Sequence, residues 1–208
     1  MTTPDPLQVY NFWFADSLDS AEQLSVQKSK WFEGPPSFDN EIRTRFGTLP
    51  TAAVCGELEH WHHDRISTLS LILVLDQFPR NLYRGLRRAF EFDALGLETA
   101  LSALDRGLHR ELHPIEAVFM CLPLEHAEDP RLQERSVALF ESLNDRAPTG
   151  TEDHFRSAAE SAKLHRDIIL RFGRFPHRNL ALGRRSTVEE QHFLDSGGKT
   201  FGVPQQPG

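Results

Sequence analysis

The hydrophobic positions of this chain recur at three- and four-residue steps, and strand-like alternation is nearly absent. Phe90, Ala94, Leu97, Leu101, Leu104 and Leu108 form one apolar stripe down a helix. The same spacing joins Phe155, Ala158, Ala162, His165, Ile169 and Phe172, which puts His165 on the inward face of its helix. Ile66 to Phe78 is apolar almost all round, so it predicts a buried central helix on which the others pack. Start signals agree: Asp5-Pro6 and His113-Pro114 place proline where a first helical residue tolerates it, and Ser186-Thr187-Val188-Glu189 reads as a capping box. The result is an all-α chain, with helices expected over 5–16, 20–31, 38–46, 51–61, 65–77, 89–107, 114–122, 130–145, 152–172 and 187–195. Short connections between them favour antiparallel hairpins.

Against this regular pattern, one chemically odd phrase occurs twice: Phe78-Pro79-Arg80-Asn81-Leu82, and Phe175-Pro176-His177-Arg178-Asn179-Leu180 with one residue inserted. Each copy closes an apolar helical pattern. Pro79 removes a donor and disfavours helical dihedrals at Phe78, which predicts that the buried helix stops or kinks there. Arg80 and Asn81 then serve either as caps for the orphaned carbonyls or, with Asp76 orienting Arg80 or Arg84, as ligands for an anion. The second phrase adds Arg174, Arg178 and Arg184 around Gly173 and Gly183. Gly173 is expected at positive φ as a helix terminator, and Gly183 as a point of close backbone approach.

Those positive charges need partners. Pro123-Leu124-Glu125-His126-Ala127-Glu128-Asp129 is an acidic run that supplies candidates, with Asp129 also suited to starting the helix from Pro130. Glu125 or Glu128 beside His126 forms a general acid–base pair, or the cluster binds a metal. His165 is either a hydrogen-bonded core residue or a third member, and if it acts, His126 or His177 must lie within its reach. Glu57 to Asp64 offers an E-x-x-H spacing with no second copy on another helix, which argues against a carboxylate-bridged metal pair. Phe12-Trp13-Phe14 and Trp31-Phe32 read as core, Trp31 also as a possible pocket wall.

Composition narrows the field. The chain has 208 residues and a formal net charge of −7, which argues against a sequence-independent nucleic-acid binder. Nineteen arginines against four lysines suit carboxylate or phosphate recognition, although a GC-rich genome produces the same bias. Leu69 to Leu75, the most apolar stretch, is far too short to cross a bilayer, and the first residues carry no secretory pattern. Cys55 and Cys121 are the only cysteines, which disfavours a disulfide framework and fits a cytoplasmic protein. Residues 1–195 are expected to form one helical domain, and 196–208, rich in Gly, Pro and Gln, a flexible tail.

Three phrases occur in order: Leu75-Asp76-Gln77-Phe78-Pro79-Arg80-Asn81, then Pro123 to Asp129, then Phe172-Gly173-Arg174-Phe175-Pro176-His177-Arg178-Asn179 with Leu182-Gly183-Arg184. In that combination the chain resembles the bacterial family known as domain of unknown function 924, over nearly its full length from Phe12-Trp13-Phe14 to Ser186-Thr187. The resemblance implies an all-helical fold similar to the tetratricopeptide-like superfamily, as a bundle or short solenoid. It implies no reaction and no catalytic residues. His60-Trp61-His62-His63 departs from the family pattern.

Three functional readings follow from the side chains. In the first, Asp76, Arg80, Asn81, Arg84, Arg174, His177, Arg178, Asn179 and Arg184 bind a small anionic metabolite, with Glu125, His126 and His165 as acid–base groups and no cofactor. The second is a helical adaptor for a peptide or protein partner. The third is metal-dependent hydrolysis with Glu125, His126, Glu128 and His165 as ligands.

Overall fold

The computed structural model describes residues 5–205; residues 1–4 and 206–208, the end of the expected tail, lie outside the described residues. All regular structure among the described residues is helical, with no strand. The first four helices are α1 (Pro6–Phe14), α2 (Ala21–Glu33), α3 (Pro36–Phe46) and α4 (Leu49–Val54). The expected helix over 51–61 breaks after Val54, because Gly56 adopts φ 78°, and resumes as a 3-10 turn over Glu59–His62.

The central rod is α5 (Arg65–Ile72), a π-turn (Leu73–Gln77) and α6 (Phe78–Leu82). Asp64 starts it, its Oδ1 accepting from the Ile66 and Ser67 amides. Of the stop or kink expected at Pro79, the stop does not occur. Phe78 keeps helical dihedrals (φ −58°, ψ −43°) and its amide donates five residues back to the Leu73 carbonyl. The chain thus accommodates a proline with no N–H by widening one turn rather than ending the helix.

Around this rod pack α1, α7 (Asp93–Asp105) and α8 (Pro114–Glu125). Helices α8, α9 (Pro130–Asn144) and α10 (Glu152–Phe172) then pack each on the next through the connections 126–129 and 145–151. After α10 come a 3-10 turn (Pro176–Arg178), the short α11 (Asn179–Leu182) and α12 (Val188–Asp195). Gly173 ends α10 at φ 71°, as its spacing predicts. Gly183 also has positive φ, 66°, but an added Cβ would meet nothing within 4 Å, so it terminates α11 instead of permitting a close approach. The capping box of α12 is Thr187 with Glu190, one residue later than expected. Among the described residues no helix is long and apolar enough to cross a membrane.

The core is aromatic where α1, α2 and α8 meet. Trp13 stacks on Trp31 with centroids 5.9 Å apart, and Phe119 presents its edge to Trp13, Phe14 and Trp31 at 5.5, 5.5 and 4.7 Å. The Trp13 carbonyl accepts from Trp31 Nε1 and Gln27 Nε2, which fixes α2 against the end of α1. Residues 196–205 extend the chain back over the molecule. There Gln205 Nε2 donates to the His177 carbonyl (3.0 Å), and an added Cβ at Gly85 would meet the Pro204 ring at 3.2 Å.

Candidate functional site

The π-turn carries the first group. Asp76 is buried within it, and its Oδ1 accepts from Arg80 Nη2 at 3.0 Å and from His126 Nδ1 at 2.7 Å, while Oδ2 accepts from Gln77 at 2.6 Å. Burial by itself would raise the Asp76 carboxyl, but Arg80 holds it well below the ordinary range, aided by the His126 hydrogen bond. An ionised carboxylate only accepts, so the proton of His126 sits on Nδ1. Burial, then the nearby Arg80 charge, pushes His126 below its usual value, leaving a neutral ring with an unprotonated Nε2.

His126 follows the last residue of α8, and that helix end is fastened from outside. Gln133 of α9, fully buried, donates through Nε2 to the carbonyls of Glu125 (2.7 Å) and Ala127 (2.8 Å). Glu125 turns toward α10, where Oε1 lies 2.8 Å from His165 Nδ1 and accepts from the Ser161 hydroxyl at 3.0 Å. His165 Nδ1 also lies 2.9 Å from the Ser161 carbonyl, an obligate acceptor, so this ring too carries its proton on Nδ1. The two imidazoles stand 6.3 Å apart between centroids, each held at Nδ1 by a carboxylate.

Arg80 and Arg178, almost a hundred positions apart in sequence, meet at Asp93, the first residue of α7. Arg80 Nη1 donates to Oδ1 at 3.1 Å and Arg178 Nη1 to Oδ2 at 3.4 Å. The Phe90 ring lies beside both guanidinium groups, at 5.7 and 4.9 Å, and Phe175 covers Arg178 at 4.6 Å. Arg178 is only 6% exposed, and its Nε has no partner. Burial lowers Arg178 to about 10, so it keeps its charge at neutral pH. His177, 3% exposed with an unpartnered Nδ1, is pushed down to about 2 by burial and then by Arg178, and is neutral.

Two adjoining cavities open onto these groups. The smaller, about 90 Å³, is lined by Arg80, Arg84, Arg178, His126, His165 and His177 together with Phe90 and the segment Phe201–Val203, and by no carboxylate. The larger, about 390 Å³, shares Arg80, Arg84, His126, His165, Phe201 and Gly202 with it and adds Glu125, Asn81, Gln77 and Lys28 beside an apolar wall that includes Trp31. Asn81 and Arg84 are steadied by Asp39 of α3, at 2.7 and 3.3 Å. Arg84 further depends on Gly34, where an added Cβ would lie 2.1 Å from its Nη2 and where φ is 58°. Gly34→Ala is therefore expected to expel the Arg84 guanidinium and to cost about 1–2 kcal/mol through the left-handed backbone alone, measured by urea unfolding. A neutral substitution would show that the backbone at residue 34 does not need the left-handed conformation.

Of the expected ligand-binding residues, Asp76 lines neither cavity but stands behind Arg80, and three others stand apart from both. Arg174 is engaged by Glu190 (2.6 and 2.8 Å), Asn179 binds Glu190 and Ser186, and Arg184 forms a two-point pair with Glu128 (2.7 and 2.9 Å). Arg174 holds Glu190 down at about 2, and Glu128 lies below its ordinary value against its burial because Arg184 and the Phe175 amide bind it. This half of the second phrase locks α12 and the Phe175 turn in place. It also removes Glu128 from the proposed metal set, and among the described residues no group of three or more His, Cys, Asp or Glu is arranged to hold a metal. Asp129 caps α9, accepting from the Arg131 and Leu132 amides. Sequence reasoning missed Asp93, Asp39, Gln133, Ser161 and Phe201. Asp93 reads as an ordinary acid at a helix start, and only a lone aromatic in a polar stretch marks Phe201.

The family described as bacterial protein of unknown function (DUF924) matches residues 9–198. The chain belongs to this family. No curated protein matches it. Among solved structures, the chain is similar to the protein of unknown function ATU0120 from Agrobacterium tumefaciens, 35% identical, with a TM-score of 0.78 and coverage of 92% of this chain and 97% of that one. The DUF924 match takes in every cavity-lining residue except the segment 201–203.

Proposed function

We propose that this protein binds a small anionic molecule at the junction of the two cavities, with Arg80, Arg84 and Arg178 receiving the anion and His126 exchanging a proton with it. The observation that carries the reading is the lining of the smaller cavity: three guanidinium groups and three histidines with no carboxylate among them. Asp76, Asp93 and Asp39 stand behind the arginines, fixing their direction while leaving donors toward the cavity. Asn81 supplies an orienting amide, and the Glu125–His165 pair a second proton acceptor. His126 suits the task because Asp76 fixes its tautomer and its surroundings keep it neutral.

A thermal-shift panel of phosphates, nucleotides and carboxylic acids tests the reading. A matching anion at a hundredfold excess over its Kd stabilises the fold by about 2.7 kcal/mol. Arg84→Ala and Arg178→Ala each weaken that binding at least about tenfold, the loss expected when one charge-assisted contact of about 1.5–3 kcal/mol disappears. An anion placed among the arginines also favours the imidazolium form of His126, so calorimetry in buffers of different ionisation enthalpy registers proton uptake at pH 7, and His126→Gln abolishes it. No stabilisation by any member of the panel sinks the proposal.

A further inference from the structure

We infer that the ligand of this site is an amphipathic acid: a carboxylate or phosphate joined to an apolar, ring-sized body, with its anionic end in the small cavity and its body in the large one. The inference rests on the reading above and adds what lies behind the anion. The two cavities share five side chains, those of Arg80, Arg84, His126, His165 and Phe201, and differ in character. Three guanidinium groups face the smaller, whereas Trp31, Phe32, Val118, Leu122, Phe140 and Ala158 wall the larger. An inorganic anion fills the first and leaves the apolar wall of the second against water, a contact that an apolar body would relieve.

Size points the same way. A volume of about 390 Å³ holds roughly a dozen water-sized units, enough for an aromatic ring and a short linker but far more than a bare anion needs. Phe32, at the edge of the aromatic core, is 52% exposed, an apolar ring left facing solvent beside the cavity it lines. The junction already accepts a ring of the chain's own. Phe201 stacks on His165 with centroids 3.8 Å apart and meets His177 edge-on at 5.2 Å, in a backbone conformation (φ 51°) that a side-chain-bearing residue adopts only at a cost. The protein therefore places an aromatic group where the ligand's body joins its charged head.

The test is titration calorimetry on the full chain at pH 7 with inorganic phosphate, acetate, phenyl phosphate, 3-phenylpropanoate and the uncharged 3-phenylpropan-1-ol. At least one aryl acid is expected to bind about 30-fold more tightly than its parent anion, the gain from burying one ring. The alcohol is expected to bind at least about tenfold more weakly than 3-phenylpropanoate. Ala158→Phe, which narrows the larger cavity, should bring the aryl acids down to the level of the parent anions, and aryl acids that keep their advantage in it overturn the inference. Aryl acids no tighter than their parents overturn the inference and leave the anion reading standing. An alcohol as tight as the acid, or no binding by any anion, overturns both.

Discussion

Arg80→Ala is expected to destabilise the protein by about 3–5 kcal/mol at pH 7, because it strands a buried carboxylate. Asp76 is 1% exposed, and Arg80 is its charged partner; Gln77 and neutral His126 supply hydrogen bonds but no counter-charge. The loss should depend on pH in a definite direction. In the wild type the Asp76 carboxyl lies below its unfolded value of 3.8, so its contribution is present above that value and is lost as the pH falls through the folded one. In the variant, only the hydrogen bonds from His126 and Gln77 oppose burial, so the same group rises, and the defect is greatest at neutral pH and is relieved on acidification. The gap between the two proteins therefore narrows from pH 7 toward pH 4, and Asp76→Asn in the variant background recovers part of it. Urea unfolding across that range decides the matter. A gap under about 1 kcal/mol at pH 7 would show that water replaces the guanidinium.

Phe119→Ala should cost a similar amount, about 3–5 kcal/mol, by a different mechanism. The ring is 1% exposed and is wedged edge-on against Trp13, Phe14 and Trp31, so its removal leaves a cavity where α1, α2 and α8 meet. Helix α8 also delivers Glu125 and His126. The substitution should therefore weaken anion binding as well as stability, and Phe119→Leu should lose less of both. Denaturant midpoints and anion titrations on the three proteins supply the comparison. A loss below about 1.5 kcal/mol would mean that the tryptophans close the gap.

Periodicity and end signals carried the long helices: 152–172 was legible to the residue, as were Gly173 at its end and Asp129 at the start of α9. What spacing did not carry was tertiary. Proline chemistry argued for a stop or a kink at Pro79, and the π-turn carried the helix on by bonding five residues back, a solution fixed by the packing around a rod that stays buried on all sides. The twin phrases were visible as a pair, but not that Asp93 would join Arg80 to Arg178, since a carboxylate in the first turn of a helix has a sufficient local reason to be there. Arg174, Asn179 and Arg184 illustrate the converse. Their residue types fit an anion site equally well, and only the positions of Glu190, one residue beyond the expected capping box and partner to Arg174 and Asn179, and of Glu128, partner to Arg184, turn them to a structural task.

The location of Gln205 has a practical side. Its amide rests on the His177 carbonyl, beside the small cavity, and three further residues reach at most about 10 Å. Any fusion or purification handle joined after Gly208 therefore begins within that reach of Gln205, on the side of His177, which lines the small cavity, where an oligohistidine stretch would compete with the ligand or obstruct its entry. Titrations made with such an appendage would measure the appendage.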